Sequence, residues 1–268
     1  MAKGRSRSRI PVLAFLYIAI LVPIIPIVMW SFSFRWTYPN LLPTWSPRAW
    51  DYVSSQSAIT GAIGTSMIVS TLVTVLTLIL GYSAAKALGT REFKGKTVVE
   101  IFILLPAIVP VISAVMGMQG IYLRIYLSDS LLGVVLAQLV FTLPYLILGL
   151  AAVFKNYNYE YEQVASTLGA NRWEILTQVT VPSIFPGLVV SCLFAFVVSW
   201  SQYLLTLMIG GAAVNTLPIE LFALMTSQDY PVACAVSIIF ILPVLILLGL
   251  TSKYLTTNGV AKGGINQL

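Results

Sequence analysis

The side chains that most often carry catalysis are scarce in this chain. It has no histidine and two cysteines, Cys192 and Cys234, so a His- or Cys-based metal site lacks its parts. Lone serines without a histidine or paired acids make no nucleophilic centre either. The cysteines fall in different apolar runs, at depths that differ too much for a disulfide at ~1.5 Å per residue, and both read as packing residues. One stretch imitates phosphate chemistry. GTREFKGKT, residues 89–97, carries the glycines, lysine and threonine of a nucleotide-binding loop. The motif needs four residues between its glycines, whereas Gly89 and Gly95 enclose five, and no strand precedes them. Its lysines read as charges that anchor a loop beside a membrane. No catalytic residue and no metal ligand is expected.

What remains is one long polar, helix-forming segment in an otherwise apolar chain, KNYNYEYEQVASTLGANRWEILTQVTVPSIFP, residues 155–186. Asn158 can cap a first helix, with Glu160 and Glu162 in the first turn, where carboxylates complement free backbone N–H groups and the helix dipole. Tyr161, Val164, Ala165 and Leu168 follow an i, i+3, i+4, i+7 pattern and share a face. Gly169 stops this helix, because glycine takes the left-handed C-terminal position without steric cost. Asn171 and Glu174 form an Asn-led capping box for a second short helix through Trp173, Ile175, Leu176 and Val179. Pro182 ends it. The spacing predicts a compact helix–turn–helix over residues 155–183, flanked by membrane on both sides.

Glu162, Ala165 and Gly169, in the pattern E-x-x-A-x-x-x-G, and the following Val181-Pro182 resemble the EAA loop of ABC importer permeases, the membrane subunits of binding-protein-dependent uptake systems. The triplet itself is Gln163-Val164-Ala165. The resemblance runs on through SCLFAFVVSWSQYLLTLMIGG and NTLPIELFALM, over the C-terminal two-thirds of the chain, and is nearest the spermidine/putrescine-type subgroup. Ser201 and Gln202 are neutral where polyamine members tend to carry acids.

The resemblance implies that the loop seats in a cleft of a separate ATPase subunit, which binds ATP and magnesium, so that this chain needs no cofactor of its own. Glu162 would pair with a basic residue of the ATPase, and Ala165 would permit close approach. Gly169 would form the turn, and Pro182 the rigid junction to the next span. Leu168 belongs to the apolar face of the same loop. The implied partners are ATPase subunits, a second permease of the same type and an extracytoplasmic binding protein.

These elements sit in a chain that is 58% hydrophobic and 9% charged, against about 25% charged for an average soluble domain. The expected fold class is all-α: a single polytopic permease domain of six transmembrane helices with a cytoplasmic helix–turn–helix. The spans fall at about residues 10–34, 58–88, 98–119, 131–154, 184–208 and 232–254. Between the last two, GGAAVNTLPIELFALMTSQDY suits a half-inserted external segment. FRWTYPNLLPTWSPRAWDYVSS suits an irregular external loop with an aromatic belt, a membrane anchor before a ligand site. Gly61, Gly64, Gly81, Ala84 and Ala85 offer small surfaces for helix packing. Twelve of the fifteen basic residues fall on one side, among them Lys3, Arg5, Arg7, Arg9, Lys86, Lys155 and Lys262; Arg35, Arg48 and Arg124 fall on the other. Both termini are therefore expected in the cytoplasm of a bacterial-type inner membrane. The net charge of +6 is accounted for by topology and calls for no nucleic acid.

No ionisable residue sits in the middle of a predicted span; Lys86 and Glu100 lie at span ends, within reach of headgroups. Proton- and voltage-driven machines place charges within the membrane, so energy is expected to arrive from a partner through the polar loop. Candidate pathway residues are Gln138 and Thr142 on span four and Ser199, Ser201 and Gln202 on span five. Each is equally read as a helix–helix hydrogen-bond partner. A proton-coupled secondary transporter and a membrane-embedded enzyme are the alternatives, the first lacking buried charges and an evident repeat, the second a catalytic cluster.

Overall fold

In lipid every backbone N–H and C=O must be satisfied within its own segment, so long uncharged runs become helices. The structure, a computed structural model, describes residues 15, 18, 19, 21–37 and 40–256. Lys3, Arg5, Arg7, Arg9 and Lys262, together with much of the first predicted span, lie outside the described residues. Four described helices are long and apolar enough to cross a membrane, five if a bent pair counts as one span.

Two compact units divide the chain, residues 1–62 with 217–243 and residues 63–216 with 244–268. In the first, helix α1 (Ile24–Ser31) leads into a small antiparallel hairpin, β1 (Ser33–Arg35) with β2 (Thr44–Trp45), then helix α2 (Arg48–Ser55). The stretch expected to be irregular is thus partly ordered. Aromatic contacts hold it: Trp30 lies 5.5 Å from both Trp36 and Tyr230, and Arg48 stacks 5.5 Å over Phe34. The ten-residue helix α11 (Leu217–Thr226) buries Leu217 and Pro218. At ~1.5 Å per residue it reaches about half of the ~30 Å hydrocarbon thickness, the length of the expected half-inserted segment.

The second unit holds most of helix α3 (Ser57–Thr90), with α4 (Lys96–Ile108), α5 (Val111–Arg124), α6 (Leu131–Lys155), the polar loop, α9 (Val181–Trp200) and α10 (Leu204–Gly210). Within the loop lie α7 (Glu160–Thr167) and α8 (Arg172–Glu174). The last helix, α12 (Tyr230–Thr256), divides between the units. Helix α6 is central: 61% of its most apolar window is buried within the protein, against 28%, 28% and 22% for the other three spans. One core joins Val69 and Val73 of α3 to Val134 and Phe141 of α6 and Leu205 and Ile209 of α10. A second, nearer the loop, joins Ala85 and Leu88 of α3 to Leu146, Leu150 and Phe154 of α6 and Ile184 of α9. Close approach there depends on Gly89, where an added Cβ would collide with Phe154 and the Ala151 carbonyl. Gly64, one of the small residues expected to serve packing, would meet nothing within 4 Å.

Two expectations are corrected, and a third span takes a bent form. The stretch expected to span at 98–119 stands as two helices, α4 and α5, that meet at 93°, a broken span or a re-entrant loop. Pro110 supplies no N–H and pushes Val109 to extended backbone, φ −67° and ψ 133°. The span expected at 184–208 ends at Trp200, and α10 forms separately after Ser201, Gln202 and Tyr203. Nor does Pro182 end the second loop helix. Residues 172–200 run as one continuous helix. A π-helical segment at Ile175–Thr180 runs up to Pro182, and its wider winding accommodates the proline's ring and missing N–H inside the helix.

Candidate functional site

The loop is built from local chemistry, residue by residue. Asn158 Oδ1 accepts the Glu160 N–H at 2.9 Å, which opens α7 one residue outside the cap itself, Tyr159. The helix closes in a Schellman motif: the Ala170 N–H reaches the Ala165 carbonyl and the Gly169 N–H the Ser166 carbonyl, both at 3.1 Å. Gly169 has φ +88°, the left-handed conformation its sequence position predicts. Asn171 Oδ1 then accepts from the Glu174 N–H at 2.9 Å, and Glu174 Oε2 from the Asn171 N–H at 2.8 Å. This is the expected capping box, complete on both sides.

Glu162 departs from the pattern of a surface helix. It is 7% exposed, and its carboxylate accepts both oxygens' worth of hydrogen bonds from Lys86 Nζ at 2.8 and 2.7 Å, 76 residues away on α3. Thr180 Oγ1, at the end of the π-helical segment, donates to the same carboxylate at 2.7 Å. The wider turn aims Thr180 inward: its hydroxyl lies 3.3 Å from the carbonyl of Ile175, five residues back. Burial pushes the Glu162 carboxyl up, but the donors Lys86 and Thr180 and the lysine's charge outweigh it and hold the group below its ordinary value. Lys86 also lies 5.6 Å from the centroid of the Tyr159 ring. Within this chain Glu162 therefore has an internal basic partner. Lys86, expected to reach headgroups, is turned into the protein.

The apolar face is the reverse. Tyr161, Val164 and Leu168 share a side as their spacing predicts, but that side is exposed, Leu168 by 82%; Ala165 is half-buried. Trp173, 70% exposed, follows in α8. The helix thus buries its carboxylate and presents its hydrocarbon outward. Behind it lies a cavity of about 1140 Å³ lined by Tyr82, Lys86, Arg91, Glu162, Arg172 and Leu176, among others.

The candidate pathway residues separate into two groups. Gln138, Thr142 and Ser199 are buried, and Gln138 ties α6 to two elements: it accepts from Ser199 Oγ of α9 and donates to Thr206 Oγ1 of α10 at 2.9 Å. Thr142 bonds back to the Gln138 carbonyl at 2.8 Å. Ser201 is exposed and bonds back to the Val197 carbonyl at 2.9 Å, while half-buried Gln202 lines a small gap beside Gln138 and Ser199. Gln138 and Ser199 thus form a helix–helix polar knot. Thr206 completes it, a residue that LLTLMIG gives no reason to single out. Lys86 and Thr180 were also not read as site residues. Lys86 carried a signal, since it is the one basic residue placed inside the predicted span 58–88.

The GKT tripeptide stands at the start of α4, and the element directly before it is helix α3, not a strand. Its lysine, Lys96, pairs with Glu92 at 2.8 Å and donates to the Arg91 carbonyl at 3.2 Å. Among the described residues no group of His, Cys, Asp or Glu is arranged to hold a metal.

Comparison with known proteins places this geometry in a family. The chain is 28% identical over 263 residues to the inner membrane ABC transporter permease protein YcjP of Escherichia coli, covering 94% of each chain. It is 30% identical over 223 residues to the molybdenum transport system permease protein ModB of Mycobacterium bovis, covering 77% of this chain and 84% of that one. The trehalose transport system permease protein SugB of Mycobacterium tuberculosis is 29% identical over 215 residues, 77% of each. The fold is that of a chain in the crystal structure of a bacterial ABC transporter involved in the import of the acidic polysaccharide alginate, with a TM-score of 0.73, 21% identity and coverage of 96% and 99%. With the family's model matching residues 77–255, this chain belongs to the binding-protein-dependent transport system inner membrane components, the permease subunits of ATP-driven ABC importers.

Proposed function

We propose that in its transporter the chain crosses the inner membrane six times with both termini cytoplasmic, and that residues 155–183 seat against an ATPase subunit through the face of Tyr161, Val164, Leu168 and Trp173. One observation carries the reading: α7 turns its apolar side outward while its carboxylate is held inward. A cluster of exposed hydrocarbon of this kind marks an interaction surface. ATP and magnesium are bound by the partner, whose closure acts as a ligand with different affinity for the inward- and outward-open states. A second permease of the same type and an extracytoplasmic binding protein complete the importer. Gln138, Thr142, Ser199, Ser201 and Gln202 are all uncharged, so the proposed pathway carries no countercharge; exposed Ser201 and half-buried Gln202 are the members placed to meet a solute, beside the buried knot of Gln138, Ser199 and Thr206. A small polar solute such as the trehalose named for one relative suits them, and a polyamine suits them less.

Leu168→Glu tests the docking face. Its side chain is outside the core, so the chain should insert normally. Co-purification of the ATPase subunit and transport should fall together, by roughly tenfold or more, since burying an unpaired charge in an interface costs several kcal/mol. Wild-type co-purification and transport would remove the face from the mechanism.

A further inference from the structure

We propose that Lys86 is a positioning residue for energy coupling, tying the loop to α3 so that movement of the loop is delivered to that helix as well as to α9. The inference rests on the reading of residues 155–183 as the ATPase-docking element and adds a second route out of it. One route is covalent, through the π-helical segment into α9. The other is the ion pair.

The geometry favours a mechanical role over surface decoration. Exposed lysine–carboxylate pairs hold one geometry poorly and contribute little. Here both carboxylate oxygens lie within 2.8 Å of Nζ, the carboxylate is buried, and Thr180 supplies a third hydrogen bond at 2.7 Å. The three groups come from three elements, α3, α7 and the π-helical segment. Moving any one of them alone would strip donors from a buried carboxylate, which is costly. The elements therefore move together or the site opens.

Helix α3 suits the receiving end. Its 34 residues span about 51 Å at ~1.5 Å per residue, well beyond the ~30 Å hydrocarbon thickness. Lys86 stands one turn from its end, where Ala85 and Leu88 pack on α6 in the second core. Farther along, Val69 and Val73 of the same helix join the other core, with Val134 and Phe141 of α6. A pull at Lys86 is thus applied to a continuous rod that reaches both cores. Thr180 is the companion positioning group, placed by the wider turn.

The test uses the assembled transporter, permease with its ATPase and binding protein, and compares Lys86→Met, Lys86→Arg, Glu162→Lys and the double variant Lys86→Glu/Glu162→Lys. The readouts are ATPase co-purification and the number of ATP molecules hydrolysed per solute moved. Lys86→Met should retain the ATPase, because Tyr161, Val164 and Leu168 are untouched, and should raise ATP consumed per solute by roughly 5- to 150-fold, the span of typical coupling between sites. Lys86→Arg and the charge exchange should recover much of the loss, which a nonspecific packing defect would not do. Wild-type coupling in Lys86→Met overturns the proposal, as does failure of both rescuing variants. If Leu168→Glu abolishes transport while Lys86→Met does not, only this inference falls. If neither variant has an effect, the docking reading falls and takes this inference with it.

Discussion

Gly169 carries a burden that no other side chain can share cheaply. Its φ of +88° closes α7 and turns the chain toward the capping box of Asn171, and a Cβ there would meet no other atom within 4 Å. Substitution therefore strains the backbone without creating a clash. Gly169→Val should cost about 1–3 kcal/mol locally, while spans held by the bilayer stay inserted. The expected result is normal abundance in the membrane with reduced solute-stimulated ATP hydrolysis, and Gly169→Asn, which tolerates the left-handed region better, should be milder. Full activity in the valine variant would make the turn a passive connection. This residue was legible in the sequence because its cause is local: an apolar stripe ends, a glycine follows, and a capping box restarts the helix. Lys86 and Glu162 were not legible as a pair. They are 76 residues apart, and no spacing rule joins them.

At the scale of elements, the π-helical segment at Ile175–Thr180 decides where the loop points. A π-helical turn behaves as one extra residue inserted in an α-helix, and each residue of an α-helix turns it by about 100°. Deleting Gln178, which is exposed, should restore regular winding and swing α7 and α8 around the helix axis by that amount. Thr180 and Glu162 would then no longer face each other. The expected outcome is a protein that inserts normally but loses both its ATPase partner and transport. Retention of both would mean that the orientation of the loop is set elsewhere. The sequence announced a proline at 182 and suggested a stop there. The helix instead continues, because the wider π-helical turn before Pro182 accommodates its missing N–H. Pro106 and Pro110 are likewise plain in the sequence, but a proline does not state the size of a bend. The 93° angle between α4 and α5 depends on what each packs against, and periodicity carries no record of that.

For the whole molecule, what composition announced was the class. A chain that is 9% charged with long apolar runs is a membrane protein, and four to five candidate spans stand among the described residues. The amphipathic stripe of α7 was also legible, though not its direction. In a soluble domain that stripe would face the core, whereas here it faces out and the carboxylate faces in. That inversion is the physical basis for treating residues 155–183 as a surface made for another subunit. It is tested most directly by a photo-crosslinking amino acid at position 168 in the assembled transporter, followed by identification of the captured chain. The account predicts capture of the ATPase subunit, with a yield that changes between nucleotide-free and ATP-bound states as the docked loop is moved. Capture of lipid or of the second permease alone, with no ATPase adduct in either state, would contradict it.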